Sequence, residues 1–174
     1  TAGRNDSFNH LHTVLDTTVL PDLNLTLLRD QAIDLEIKGQ PIQLIGLDCT
    51  HQPEKDLDRL SEIAHHLDLN TSKTRILLYH SPDIAPHLDT LPIDLQVSGH
   101  THGGQVQIPF LGPIYTASLY GIAFSSGHYF VNHSLHLIIS RGLGLEGEAA
   151  PRVRFFSPPE ICDITLEFTR HHVQ

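Results

Sequence analysis

Two histidines set between glycines give the clearest chemical signal in the sequence. His100 and His102 lie in the stretch Ser98–Gly104 (SGHTHGG), directly after a short predicted strand, Asp94–Ser98. Glycine lets the backbone turn and approach a ligand closely, so both imidazole rings can converge on one place. Neutral imidazoles at such a place suit Zn, Mn or Fe. The pattern therefore predicts a transition-metal site at the end of this strand.

His80 supports the same interpretation. It follows Arg75–Tyr79, a largely apolar run of the kind found in strands that are covered on both faces. Open α/β sheets place their ligands outside the carboxyl ends of such strands. Two neighbouring strand ends would then offer three imidazoles from one edge of a sheet.

Spacing alone is weak evidence here because the chain contains 14 histidines. His10 and His12 also show the His-x-His spacing, but they lie within a predicted helix, Ser7–Thr18. Residues two apart on a helix do not face each other, so that pair is interpreted as incidental. The pair at His100 and His102 differs because it lies at a strand-to-loop junction.

Hydrophobic periodicity predicts the elements that position these residues. A helix begins at Pro53 and continues to Leu67, with apolar residues at steps of three and four. Alternating or apolar runs predict two hairpins and a last, half-buried strand. These runs are Ala32–Ile37 with Ile42–Leu47, Tyr129–Val131 with Leu135–Ser140, and Cys162–Phe168. We interpret residues 1–174 as a single α/β domain with mixed strands.

Composition narrows the classes of partner. The chain of 174 residues has 11 Lys and Arg against 20 Asp and Glu, a formal net charge of −9. A chain this acidic, without a basic patch, is repelled by a polyphosphate backbone, so no nucleic acid partner is expected.

No apolar run approaches the roughly 18–20 residues of a membrane span. The chain begins at Thr1 and contains no Met, so we expect it to be a piece of a longer protein.

Two motifs together resemble a known family. Tyr79–Asp83 (YHSPD) and Ser98–Gln105 (SGHTHGGQ) resemble the calcineurin-like metallophosphoesterases. Within that family, the nearest similarity is to a bacterial branch, often membrane-associated, that includes hydrolases of UDP-diacylglucosamine. Ser140–Gly144 (SRGLG) is similar to that branch as well. The resemblance implies a calcineurin-like α/β/β/α sandwich with mixed β-sheets, of which this chain lacks the amino-terminal part.

The resemblance also implies a binuclear metal centre with two divalent ions, Mn, Fe or Zn, in the intact protein. His80 and His100 would share one ion, and His102 would bind its neighbour. A bridging hydroxide would attack phosphorus in a phosphoester or pyrophosphate bond, and both ions would stabilise charge on the phosphoryl oxygens.

Three further residues are candidate substrate contacts. Gly103 and Gly104 directly follow the His pair, and Arg141 carries a guanidinium that suits bidentate contacts with an oxyanion. These side chains and glycine backbones would face a phosphate group beside the metal ions.

The amino-terminal residues depart from the family pattern. A Gly-Asn-His-Asp or Gly-Asn-His-Glu motif is expected at Gly3–Asp6, but Arg4 takes the place of the metal-binding Asn. Asn5 takes the place of the His that positions or protonates the substrate. A guanidinium cannot ligate a metal because it stays protonated and has no acceptor. Asn5 and Asp6 therefore stand as catalytic candidates at an altered motif.

Three function hypotheses follow. The leading one is a metal-dependent phosphoesterase that acts on a small phosphorylated or lipid-linked nucleotide. The second, favoured by Arg4 and Asn5, is a degenerate domain that keeps the fold but serves binding or assembly without catalysis. The third is a small β-barrel metal protein, against which the helical stripe from Leu57 to Leu67 argues.

The leading hypothesis carries expectations about surroundings. We expect membrane association of the longer protein and a cytoplasmic or peripheral membrane location. We also expect homo-oligomers, because half of a sandwich would leave a sheet edge and apolar surface exposed.

Overall fold

A six-stranded mixed sheet forms the centre of the computed structural model, which describes residues 25–67, 72–146 and 152–168. The strands lie in the order β1-β2-β3-β4-β8-β7, and β5 and β6 form a separate small sheet. The eight strands are β1 (Gln31–Ile37), β2 (Gln40–Leu47), β3 (Thr74–Tyr79), β4 (Leu95–Ser98), β5 (Gln107–Ile108), β6 (Gly112–Pro113), β7 (Gly127–Val131) and β8 (Leu135–Ile139).

Antiparallel hairpins form the two margins of the central sheet. The β1–β2 hairpin turns at Lys38 and Gly39, whose φ angles of 52° and 77° match the two left-handed positions of a tight hairpin turn. β7 and β8 form the second hairpin. Between them, β2, β3, β4 and β8 run parallel. The carboxyl ends of these four strands therefore meet at one edge of the sheet.

Helix α1 (Pro53–His65) connects β2 to β3 and covers one face of the sheet. Pro53 fits the first turn because the amide that it lacks has no partner within a helix. Leu60 and Ala64 are buried, and Leu60 joins the main core with Leu77, Leu137 and other strand residues. Burying a side chain such as Leu60 is worth about 1.5–3 kcal/mol. Short 3-10 helices lie at Pro82–His87, His102–Gly104 and Gly121–Ala123.

The opposite face of the sheet is only partly covered. Ile42, Ile76 and Leu95 form a small buried cluster on that face. Beside them, Leu78 is 38% exposed and Phe130 is 60% exposed. Among the described residues, this face therefore presents apolar side chains to solvent.

The structure confirms most of the predicted elements. Both hairpins, the helix from Pro53 and the strand before His80 form as expected, with the helix ending at His65. The predicted strand at Cys162–Phe168 is wrong, because that segment is irregular and has no strand partner. The predicted helix Ser7–Thr18 lies outside the described residues. Within the described part of the chain, no helix combines the length and apolar character needed to cross a bilayer.

Candidate functional site

Three imidazoles converge at the carboxyl edge of the parallel strands. His51 follows β2, His80 follows β3 and His100 follows β4. The ring centroids of His80 and His100 are 5.1 Å apart, and those of His51 lie 4.9 Å from His100 and 6.0 Å from His80. We call these three residues the histidine cluster. The structure thus brings together two of the three predicted metal ligands and adds a residue that sequence reasoning missed.

His51 could have been found by the argument that identified His80. It lies in the loop just beyond the end of β2, whereas His80 directly follows β3. Only the parallel pairing of β2 with β3 places those two strand ends side by side, and that pairing is not visible in the spacing of histidines.

The backbone around the cluster is strained. His51, His100 and His102 have φ angles of 59°, 68° and 51°. These values lie in the left-handed region, which residues other than glycine rarely adopt. Such conformations cost of order 1–3 kcal/mol each and concentrate at functional sites. Local stability alone does not explain three of them within one small region.

A buried carboxylate holds the loop that carries His51. Asp56, in the first turn of α1, accepts hydrogen bonds from the amide of Thr50 at 3.0 Å and from its hydroxyl at 2.6 Å. Tyr79 donates its hydroxyl to the same carboxylate at 2.6 Å, and Arg59 donates at 2.8 Å. Burial would raise the pKa of Asp56, but these hydrogen bonds outweigh it and lower the pKa. Asp56 therefore ties the loop before α1 to the end of β3.

A second buried network fixes the ends of β3 and β4. The hydroxyl of Ser98 donates to the carbonyl of Tyr79 at 2.7 Å. The amide of Gln96 donates to the carbonyl of Ser81 at 3.0 Å and to the hydroxyl of Ser98 at 2.9 Å. The backbone amide of Gly99 donates to the carbonyl of His80 at 2.9 Å. The separation of His80 from His100 is thus set by strand-end contacts.

Desolvation and mutual proximity favour the neutral imidazoles of His80 and His100. The pKa of His80 is lowered to about 4, first because protein atoms displace water around the ring and then because His100, His51 and His102 lie near. The pKa of His100 is also lowered, chiefly by burial and then by His51. Nε2 of His100 donates to the carbonyl of Ala117 at 3.2 Å if that nitrogen carries the proton. Nδ1 of His100 would then carry the lone pair.

His102 lies beside the cluster and turns towards another part of the chain. Its Nδ1 is 3.5 Å from a guanidinium nitrogen of Arg154, and its carbonyl accepts a hydrogen bond from Ser157 at 3.0 Å. Arg154 also donates to the carbonyls of Arg141, Gly142 and Gly144 at 2.8, 3.0 and 2.6 Å. Arg154 therefore fastens the loop after β8 to the His102 turn, a role that the sequence did not reveal.

The proposed substrate contacts have structural partners. Arg141 forms an ion pair with Glu160 and packs against Gly103, where an added Cβ would lie 2.7 Å from Arg141 Cγ. A Cβ at Gly104 would lie 2.4 Å from the carbonyl oxygen of Tyr115. Both glycines have positive φ, 64° and 74°. The two glycines therefore allow close packing under the site, and a contact with substrate stays a prediction.

A cavity of about 250 Å³ opens beside the cluster. Its wall includes His51, His100, His102, Tyr115 and Glu146. Tyr115 and Glu146 thus line the same opening as three of the histidines.

The donor chemistry of the cluster fits a divalent transition metal, but the arrangement of donor atoms is incomplete. Neutral, desolvated imidazoles are good ligands for Zn, Mn or Fe. Within residues 25–67, 72–146 and 152–168, however, no group of three or more His, Cys, Asp or Glu side chains is placed to hold a metal ion. The catalytic candidates Asn5 and Asp6 lie outside the described residues. The described residues alone therefore do not form a complete metal site.

Comparisons with curated proteins identify relatives named as metallophosphoesterases. The chain is 36% identical over 167 residues to the uncharacterized metallophosphoesterase YkuE of Bacillus subtilis, covering 92% of this chain and 54% of that protein. It is 35% identical over 169 residues to the metallophosphoesterase Cj0846 of Campylobacter jejuni, covering 95% and 41%. The UDP-2,3-diacylglucosamine pyrophosphatase LpxG of Chlamydia trachomatis is 38% identical over 101 residues, covering 55% and 30%.

The chain spans about half or less of the length of these relatives. No family model matches the chain. No solved structure gives a significant match either.

Proposed function

This chain is homologous to the metallophosphoesterases, and on that premise we propose that it carries the imidazole ligands of a two-metal site that hydrolyses a phosphoester or pyrophosphate bond. His80 and His100 would bind one divalent ion and His102 a second. The observation that carries the proposal is the 5.1 Å separation of the His80 and His100 rings at the edge of the parallel strands.

The described residues prepare the site in three ways. The lowered pKa of His80 keeps its ring neutral at physiological pH. The carbonyl of Ala117 orients the ring of His100, as second partners commonly do for ligating histidines. Asp56 and Ser98 hold the strand ends that carry the rings. When bound, the metal ions would supply Lewis-acid activation of water and of the phosphoryl group.

The remaining ligands of such a site belong to the proposal as well. Since no complete donor set exists within the described part of the chain, carboxylate ligands would come from outside it. The partly open face of the sheet supports a second sheet packed there, which would complete the expected α/β/β/α sandwich. Sandwiched sheets bury their inner faces against each other.

The names of relatives support a substrate class. The proteins named LpxG are UDP-2,3-diacylglucosamine pyrophosphatases, which supports a lipid-linked nucleotide as the substrate class of the whole protein. A cytoplasmic or peripheral membrane location belongs to the same proposal.

The test is metal stoichiometry by elemental analysis on the 174-residue chain, purified without chelators and without an affinity tag. We expect tightly held Mn, Fe or Zn that is lost in His80→Ala and in His100→Ala but kept in His65→Ala, a control on the exposed end of α1. Hydrolysis of bis-p-nitrophenyl phosphate is measured on the same samples. If the chain is folded by circular dichroism yet holds no metal, even with added Mn²⁺, then His80 and His100 do not hold an ion without the carboxylate ligands. The same measurement on the longer protein then decides between the proposed two-metal site and a binding or assembly role.

A further inference from the structure

The small β5–β6 hairpin carries large apolar side chains into solvent. Phe110 and Leu111, at its tip, are 107% and 77% exposed. The chain that follows also exposes Ile114, Tyr115 and Leu119, each by 60% or more. Soluble proteins rarely expose large apolar side chains in such density unless the surface has a partner.

The backbone at the tip is unfavourable for the residue that occupies it. Phe110 has a φ of 68°, a conformation that glycine or asparagine adopts at far lower cost than a bulky aromatic residue. A fully exposed ring makes no packing contact that could offset this cost. The fold therefore does not explain why a phenylalanine stands at this turn.

The charge pattern separates this region from the rest of the molecule. Between Asp94 and Arg141 the sequence contains no Asp, Glu, Lys or Arg, although the whole chain carries a formal net charge of −9. The exposed hairpin lies in the middle of this uncharged stretch. An apolar partner can therefore bind this stretch without the cost of desolvating Asp, Glu, Lys or Arg. A charged partner would find none of these side chains there with which to form an ion pair.

The base of the hairpin is fixed to the body of the protein. Val106 pairs with Phe155 in a parallel bridge, and the amide of Gln107 donates to the carbonyl of Phe155 at 2.9 Å. Gly104 packs under the hairpin against Pro113 and Tyr115. Just beyond it, buried Ser118 donates to Asp83 at 2.6 Å. The tip is therefore displayed on a fixed base.

We propose that the tip of the β5–β6 hairpin, Phe110 and Leu111, inserts into the surface of a lipid bilayer. A convex apolar tip without charges suits entry among acyl chains. Tyr115, at the foot of the hairpin, has the amphipathic ring that favours the membrane–water interface. Because the hairpin and the stretch around it carry no Lys or Arg and the chain is acidic, binding depends on apolar insertion and favours neutral headgroups. Tyr115 also lines the cavity beside the histidine cluster, so insertion would bring that cavity close to the membrane.

A single-tryptophan experiment tests insertion directly, because the chain contains no Trp. The Phe110→Trp variant is mixed with neutral phosphatidylcholine vesicles, and we expect its emission to shift to shorter wavelength and to be quenched by brominated acyl chains. The matched control is Ile161→Trp, at a site that is 82% exposed and lies outside the uncharged stretch; its emission should not change. Unchanged emission of Phe110→Trp in the presence of vesicles would overturn the proposal.

Vesicle co-sedimentation of the chain without an introduced Trp distinguishes apolar insertion from electrostatic binding. Replacing both Phe110 and Leu111 by Ser should weaken partitioning by about tenfold or more for each side chain, while Ile161→Ser should leave it unchanged. Binding should persist at high salt and should weaken when anionic phosphatidylglycerol is added. Binding only to anionic vesicles, with loss at high salt, would overturn apolar insertion.

Sedimentation velocity without lipid tests the alternative that the tip binds a second copy of the chain. If the double Ser variant abolishes self-association and leaves vesicle binding intact, the tip is an interface between copies and the proposal is wrong. None of these measurements depends on hydrolysis or bound metal, so the proposal can fail or succeed independently of the proposed function.

Discussion

At the scale of single residues, the crowding of imidazoles makes a measurable prediction. In the metal-free chain, NMR titration should give His80 a pKa of about 4. Because the folded value lies below the unfolded value of about 6.5, the free energy of unfolding should fall as the pH drops from about 6.5 to about 4. Changing His100 to Gln removes one neighbouring charge, so the pKa of His80 should rise part of the way back. An unchanged pKa in that variant would mean that the charge of His100 does not contribute to the shift.

Gly104, which follows His102 and Gly103, combines a left-handed backbone with a close packing contact, and substitution can separate the two effects. Gly104→Ala meets both a left-handed backbone and the carbonyl oxygen of Tyr115, 2.4 Å from the added Cβ. Gly39→Ala is the matched control, because Gly39 has nearly the same φ, 77° against 74°, with nothing within 4 Å of its Cβ.

We expect Gly39→Ala to lower the free energy of unfolding by about 1–2 kcal/mol, the cost of a left-handed alanine. Gly104→Ala should cost about 1–3 kcal/mol more, as overpacked sites do. Urea denaturation of the two variants measures both values. Equal losses would show that Tyr115 moves aside freely and that the close approach at Gly104 has no structural importance.

At the scale of elements, Asp56 links α1 to the loop that carries His51. Asp56→Asn keeps the shape of the side chain but weakens its charge-assisted hydrogen bonds, so the free energy of unfolding at neutral pH should fall by at least about 1.5–3 kcal/mol. The pKa of Asp56 is lowered in the folded chain, so its stabilisation is complete above the unfolded pKa of about 3.9 and is lost as the pH falls through the lowered folded value. The difference between wild type and variant should therefore shrink in acid.

The same helix provides the control for Asp56. Asp58 is exposed on α1, and Asp58→Asn should change the free energy of unfolding by less than about 0.5 kcal/mol, as surface substitutions usually do. Chemical denaturation at several pH values compares the two variants. A loss at Asp56 that does not vary with pH would contradict the carboxylate argument.

The elements also show how far the sequence could predict the structure. The periodicity of apolar residues alone identified the hairpins and α1. These patterns are local, and the spacing of the apolar residues shows which side chains are buried. Cys162–Phe168 alternates just as clearly but forms no strand, since a strand needs a hydrogen-bonded neighbour and this segment has none among the described strands. Ile164, Leu166 and Phe168 accordingly stay 36–41% exposed.

The placement of the candidate site residues was predictable where they lay at recognisable strand ends. His80 and His100 followed apolar runs and were placed together as expected. His51 and Arg154 depend on contacts between segments distant in sequence, namely the pairing of β2 with β3 and the folding of residues 152–168 across the loop after β8. The spacing of residue types along a single sequence does not show which distant segments make such contacts.

At the scale of the whole molecule, one face of the sheet determines how copies of the chain behave. That face exposes Leu78 and Phe130 beside a small buried cluster, and Phe130 lies on β7, one of the two edge strands of the sheet. Apolar surface next to an unpaired edge favours association through that edge. We therefore predict that the chain self-associates, with a sedimentation coefficient that rises with protein concentration.

The variant that tests this prediction is Phe130→Glu, which places a charge on the exposed face at the edge strand. A charge there must be desolvated on association, so the variant should sediment as a monomer at concentrations where the parent chain is associated. Ile161→Glu adds the same charge at an 82% exposed position outside the sheet and should leave association unchanged. If both variants associate like the parent, contacts are made elsewhere. If the parent is monomeric at every concentration, the open face is not adhesive, and the argument that it requires a covering layer loses its support.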